Sequence, residues 1–284
     1  MWGLYVQSSM SFSMARKSFS NDLYIFSTFD NSEHETYFLG SPHLDSIAES
    51  DSDQAYYRAK ALIRLLNGCL LLRGDLTFTY DEDICFFRPN SVIKAYSNRK
   101  NDLSIVEYEE LVNPFGSNVE VKEQAEQSYL RDCLILAKEN PLIRQTIVFL
   151  VLSKLDALYF LTNTFKIYEI ILSDLGINKN KATYKRELQN NFPEGIRKYI
   201  DFFLLGNFKE YVNSEKGAGI LSRHVSTNQP YDKAPLDLEE IDSNIRNFIN
   251  HWLRIKMQER FGYYYTVEYK PSREEYMKDE DYDF

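Results

Sequence analysis

Two of the chain's four histidines stand beside arginines, once as the adjacent pair Arg223-His224 and once as Arg246-x4-His251. Imidazole with guanidinium suits phosphodiester chemistry. The imidazole can take the proton of a ribose 2′-hydroxyl or protonate the leaving oxygen, and the guanidinium stabilises the phosphorane charge, with no metal required. Glu169 is the third candidate. It is set in an apolar segment, Leu155 to Leu175, and steps of 100° per residue place its carboxylate close to the Leu158/Phe165 stripe, where loss of water is costly without a cation or donors nearby. It forms a structural ion pair, reaches water as an edge carboxylate, or orients one of the basic residues.

The elements that carry these residues decide which of them can meet. The helix expected over 237–259 has a marked start: Pro235 precedes it, Asp237 caps it with Glu240 three residues on, and Leu236 can pack on Ile241. Leu238, Ile241, Ile245, Phe248, Ile249 and Trp252 form its buried stripe. Arg246 and His251 then fall on opposite flanks, roughly 140° apart in a straight helix, and do not converge within one chain. A solvated flank accounts for them as well as a site does. Arg223 and His224 sit instead in a loop after "SEKGAG", whose glycines allow backbone shapes closed to other residues. Loops on a rigid scaffold are where functional side chains gather. The structural alternative has Arg223 tying the loop to a buried carboxylate and His224 capping a neighbouring helix end.

The remainder of the chain reads as α+β. Short alternating or aromatic runs, "LYVQSSMSF", "DLYIFSTF" and "ETYFLG", are broken by turn residues and predict strands. From Asp53 the period becomes helical, with Tyr56, Ala59, Leu62, Ile63, Leu66 and Leu70 on one face, ending near Arg73-Gly74. "LTFTY" and "ICFFR" flank Asp81-Glu82-Asp83 as an expected hairpin. Residues 1–115 are thus a small α+β domain of strands with one covering helix. After Pro114 and Gly116 the pattern turns helical, with helices near 121–139, 141–153, 155–175, 180–191, 194–205, 207–215 and 237–259, and residues 120–260 are expected to form one bundle around the 155–175 helix. The ending, 263–284, begins as a possible strand and becomes an acidic, tyrosine-rich tail that either frays or binds a basic partner.

Composition narrows the partners. A net charge of −9, from 42 acidic and 33 basic residues, disfavours bulk attraction to nucleic acid, so any RNA contact must be local. Cys69, Cys85 and Cys133 lie among apolar residues and read as buried thiols of a reducing compartment; with the histidines they form no zinc spacing, and no cofactor is implied. The longest apolar stretch, from Thr146, is interrupted by Lys154 and Asp156, and no signal peptide is evident, which points to the cytoplasm and away from membranes.

Two resemblances add expectations. Arg-x4-6-His is similar to the signature of the HEPN superfamily, helical-bundle ribonucleases that pair two motif copies across a dimer. The succession "FKIYEIILSDLG", "GNFKEYVNSEKGAGILSRH" and "PLDLEEIDSNIRNFINHWL", roughly residues 155–253, resembles the C-terminal half of a widespread group of uncharacterised bacterial proteins. Tyr168, Glu169, Asn213, Ser214, Gly219, Arg223, His224, Pro235, Trp252 and Leu253 match its pattern. Ile220 stands where that group has Asp or Asn, and His251 lies outside the pattern. The resemblance implies a HEPN-like bundle by analogy of fold. Two functions follow as expectations: a metal-independent endoribonuclease of bacterial conflict, phage defence or toxin-antitoxin pairing, with Arg223 and His224 reacting and Glu169 orienting; or a non-enzymatic sensor or adaptor that homodimerises or docks a protein partner.

Overall fold

The structure, a computed structural model, describes residues 1–7, 19–29, 35–74, 77–88, 91–97, 104–116, 119, 121, 127–177, 194–223 and 231–269. It is a mixed α+β protein in two compact units, one of residues 1–71 and 76–145, the other of residues 72–75 and 146–284.

The first unit holds an antiparallel sheet of β1 (Trp2–Gln7), β2 (Tyr24–Phe29), β3 (Glu35–Gly40), β4 (Thr79–Arg88) and β5 (Ser91–Ser97), in the order β2-β3-β1-β4-β5. Period-two alternation gives it two faces. One row of partners, Ile25, Leu39, Leu4 and Ile84, crosses four strands, and all four side chains are buried. On the opposite face Phe26, Phe38 and Phe87 meet ring to ring at 5.0–5.5 Å above Gly3, where a Cβ would stand 2.8 Å from two of the rings. Asp81-Glu82-Asp83 is no hairpin turn. Strand β4 runs through it, and the register against β1 slips between Leu4 and Val6, so the ladder absorbs the exposed acids as an irregularity.

Helix α2 (Ser52–Arg73) follows the four-residue α1 (Pro42–Asp45) and buries the expected stripe along with Ala55, Ala61, Leu65 and Cys69, so it is covered nearly all round. The amide of Asn67 accepts from the backbone N–H of Phe78 at 2.9 Å and donates to its carbonyl at 2.8 Å, tying the approach to β4 onto this helix. Helix α3 (Ile105–Val112) escaped the sequence reading because it is amphipathic in reverse. Its Glu110 receives Arg58 through two nitrogens at 2.6 and 2.8 Å and Glu107 pairs with Lys60 at 2.8 Å, while Ile105, Tyr108 and Val112 face outward. Helix α4 (Tyr129–Glu139), buried along most of its length, belongs to this first unit.

Helix α5 (Pro141–Leu155) begins in the first unit and continues into the second, whose described regular elements are all helical. Asp156 then caps α6 (Ala157–Asp174) by accepting from Leu158 N at 2.8 Å. The first turn of α6 is exposed at Leu158, which the periodicity placed on the buried stripe, and at Tyr159; from Phe160 on, its apolar residues are buried except the half-buried Ile170. The helix expected at 180–191 lies outside the described residues. Helix α7 (Glu194–Ile200) runs into a widened turn, Asp201–Leu205, closed by Gly206 N to the Asp201 carbonyl at 2.9 Å. Helices α8 (Phe208–Asn213) and α9 (Glu215–Ala218) follow, then the long α10 (Leu238–Phe261). Asp237 caps α10 as expected, and Gly262, at φ +77°, ends it in the left-handed conformation. Residues 263–269, which the sequence suggested as a strand, form no regular secondary structure.

Candidate functional site

The Arg223 loop is built by short-range bonds. Ser214 ends α8 and caps α9, accepting from Gly217 N at 3.3 Å, and Gly219 then turns the chain at φ +57°, ψ −134°. Open space surrounds the missing Cβ of Gly219, so glycine is required there by the backbone and not by crowding. One tight turn later Arg223 N donates to the carbonyl of Val212 at 2.7 Å, which closes the loop on α8. At its far end Tyr231 packs on Tyr211, ring centroids 5.5 Å apart, and donates to the Ala234 carbonyl at 2.9 Å.

This closure aims the Arg223 side chain at α6. Its guanidinium carbon lies 4.2 Å from the ring centroid of Phe165, a stacking distance at which the ring face attracts the cation. Glu169 lies one turn further along the same helix and is half-buried. The hydroxyl of Tyr168 senses both: burial, with Glu169 adding to it and Arg223 opposing, pushes it up to about 12. Arg223, Glu169 and Tyr168 are therefore one electrostatic cluster. Tyr168 is fully buried among Phe165, Phe203 and Phe208, so it braces the cluster and cannot touch a ligand, whereas Arg223 is exposed. His224 lies outside the described residues.

Arg246 and His251 face different surroundings, as their flanks require. The Arg246 guanidinium grips Asp242 through Nε at 3.2 Å and Nη2 at 3.1 Å, Lys154 holds the same carboxylate, and the Tyr269 ring covers the cation at 4.1 Å. It is a structural cation. His251 packs on Tyr199, centroids 5.3 Å apart, against Gly195, where any Cβ would meet its Cε1 at 2.6 Å. Burial, then the charges of Arg254 and Lys198, press its imidazole down to about 4, so it is neutral at physiological pH and a poor proton shuttle there. Its working neighbour is Arg254, three residues on, whose Nη1 approaches His251 Nδ1 at 3.5 Å. That helical spacing is visible in the sequence, but attention to Arg-x4-His overlooked it.

The sequence reading also missed His43. Its Nε2 meets Asp22 at 2.6 Å, and Lys138 holds the same oxygen at 2.8 Å. Burial would raise the Asp22 carboxyl, but the bonds from His43 and Lys138 outweigh it and keep it below its ordinary value. His43 is wholly buried, which marks a brace of the first unit. The three cysteines are free and buried, and the neighbouring Cys133 together with burial pushes the Cys69 thiol well up. Among the described residues no group of three or more His, Cys, Asp and Glu side chains is placed to hold a metal ion, and no helix is long and apolar enough to cross a membrane.

Among protein-family models, curated proteins and solved structures, none matches this chain.

Proposed function

We propose that the unit of residues 146–284 is a HEPN-like endoribonuclease domain acting without a metal in bacterial conflict, with Arg223 as the phosphate clamp, His224 as the acid/base and Glu169 as the group that orients the loop. The observation that supports this reading is that Arg223 and Glu169, two of the five residues singled out by type alone, both act on Tyr168, and that the cation of the two is exposed. A guanidinium stacked on Phe165 is held in orientation while its donors stay open to a phosphate. An imidazole one residue on, with an ordinary pKa of about 6.5, would exchange a proton near neutral pH.

The adaptor reading is favoured by a different observation. Arg246 is locked by Asp242 and Tyr269 and His251 is held neutral, so the second arginine-histidine pair contributes structure and not chemistry. The deciding measurement is cleavage of single-stranded RNA by the purified full chain in the presence of a chelator. Cleavage that survives the chelator and is lost in His224→Ala and Arg223→Ala, both still folded by circular dichroism, supports the enzyme. RNA left intact by the unaltered chain at every protein concentration sinks it and leaves the adaptor.

A further inference from the structure

A cleft of about 430 Å³ opens in the second unit between α7, α10 and the returning segment 263–269, within the size range of small-molecule sites. Its walls are apolar at Ile196, Ile255 and Tyr264. Its polar end is made by His251 and Arg254, and the way they are already bonded specifies what they still offer. Arg254 Nη2 donates to the Val267 carbonyl at 2.8 Å and Nη1 faces His251 Nδ1, which leaves its buried Nε with no partner among the described residues. A neutral imidazole whose Nδ1 receives the guanidinium carries its proton on Nε2, so both side chains have a donor to spare. Gly195 supplies the room: a side chain there would collide with the His251 ring.

We infer that this cleft binds a small organic anion, a carboxylate or sulfonate on an aromatic or branched apolar body, with the acid group on Arg254 and His251 and the body between Ile196, Ile255 and Tyr264. Three points favour an anion. The orphaned N–H belongs to a cation, and leaving such a buried donor unmet is costly. Lys198 adds a second positive charge close to His251, opposed by Glu268. Glu259, the acid in the lining, is engaged by Lys256 at 3.3 Å. The site is separate from the Arg223 cluster and does not depend on the proposed RNA chemistry.

The probes are anilinonaphthalene sulfonate and its uncharged counterpart N-phenylnaphthylamine, titrated into the full chain by fluorescence. The expected result is saturable binding of one sulfonate per chain, at least tenfold tighter than the neutral probe, which is the scale of one hydrogen bond to a charged group. Arg254→Gln is expected to abolish that preference for the anion. Gly195→Val, which crowds the cleft and the His251 ring without removing a charge, is expected to weaken both probes, and its folding is checked in the same way as that of Arg254→Gln. Because Arg254→Gln also cuts the tie to Val267, its folding is checked by urea unfolding, and Lys198→Gln serves as a second charge variant expected to weaken the sulfonate alone by a few-fold. Equal affinity for the two probes, or sulfonate binding untouched by Gly195→Val, overturns the proposal.

Discussion

His251 shows how a residue chosen for chemistry can be claimed by packing. Its spacing from Arg246 is similar to a nuclease signature, yet Tyr199 and Gly195 enclose the ring and Arg254 and Lys198 repel a proton from it. The consequence can be measured as stability. The folded imidazole has its pKa lowered from 6.5 to about 4, so between these values the unfolded chain binds the extra proton and acid favours unfolding. The contribution is complete above pH about 6.5 and is lost progressively as the pH falls towards 4. His251→Gln, which has no such proton to gain, is expected to lose less stability than the unaltered chain between pH 7 and pH 5 in urea unfolding; equal losses would show the ring to be open to solvent. None of this is legible in the sequence, because Gly195 and Tyr199 reach the ring only through the packing of α7 on α10. The same holds for Arg223 on Phe165. The two residues are far apart in the chain, and a stacked guanidinium has no spacing signature.

At the scale of elements, what could be read was what periodicity encodes. Helices α2 and α6 were legible because a stripe of apolar side chains at three and four must be buried whatever its partner is. Strand β5 and helix α3 were not: the first was hidden behind the supposed turn at Asp81-Glu82-Asp83, and the second is fixed by Glu110 and Glu107 and turns its apolar residues outward. A second device without a sequence pattern recurs. Asn67 holds the backbone of Phe78 by both its N–H and its C=O, and Asn247 of α10 holds Tyr269 in the same way, at 2.8 and 3.1 Å. Each amide stands in for a neighbouring strand and docks extended chain onto a helix. With Arg254 bonded to Val267 and Gly262 reversing the chain, Asn247 lays residues 263–269 back along α10, where the sequence suggested a strand leading into an acidic tail. Removing the amide leaves two backbone groups unpaired, and burial sets the effect. Both asparagines are buried, but Phe78 is buried and Tyr269 only half-buried, so Asn67→Ala is expected to destabilise by about 3 kcal/mol and Asn247→Ala by about 1 kcal/mol. Denaturant unfolding checks both values, and a larger loss at Asn247 than at Asn67 would contradict the account.

For the whole molecule, charge is the constraint on the proposed chemistry. At a net −9 the chain repels RNA on average, and Arg223 is held on Phe165 one turn from Glu169, so few phosphates can be neutralised together. The proposed nuclease is therefore expected to bind RNA with a shallow salt dependence, a slope of log Kobs against log salt of about −1 to −2, set against about −10 for a protein that grips many phosphates. Filter binding of uncleaved RNA to His224→Ala across a salt series measures it, and a steep slope would place the RNA on some other surface. The sheet of the first unit has a consequence of another kind, in biosynthesis. Its central strand, Trp2–Gln7, precedes in the chain both of its neighbours, β3 and β4, and β4 follows by roughly 75 residues. At roughly 5–20 residues per second, the ribosome completes β4 some 4 to 15 s after β1. Throughout that interval Trp2, Leu4 and Val6, all buried in the finished protein, have no complete sheet to enter. The strand that ends up most sheltered is thus the one longest in need of a chaperone during translation.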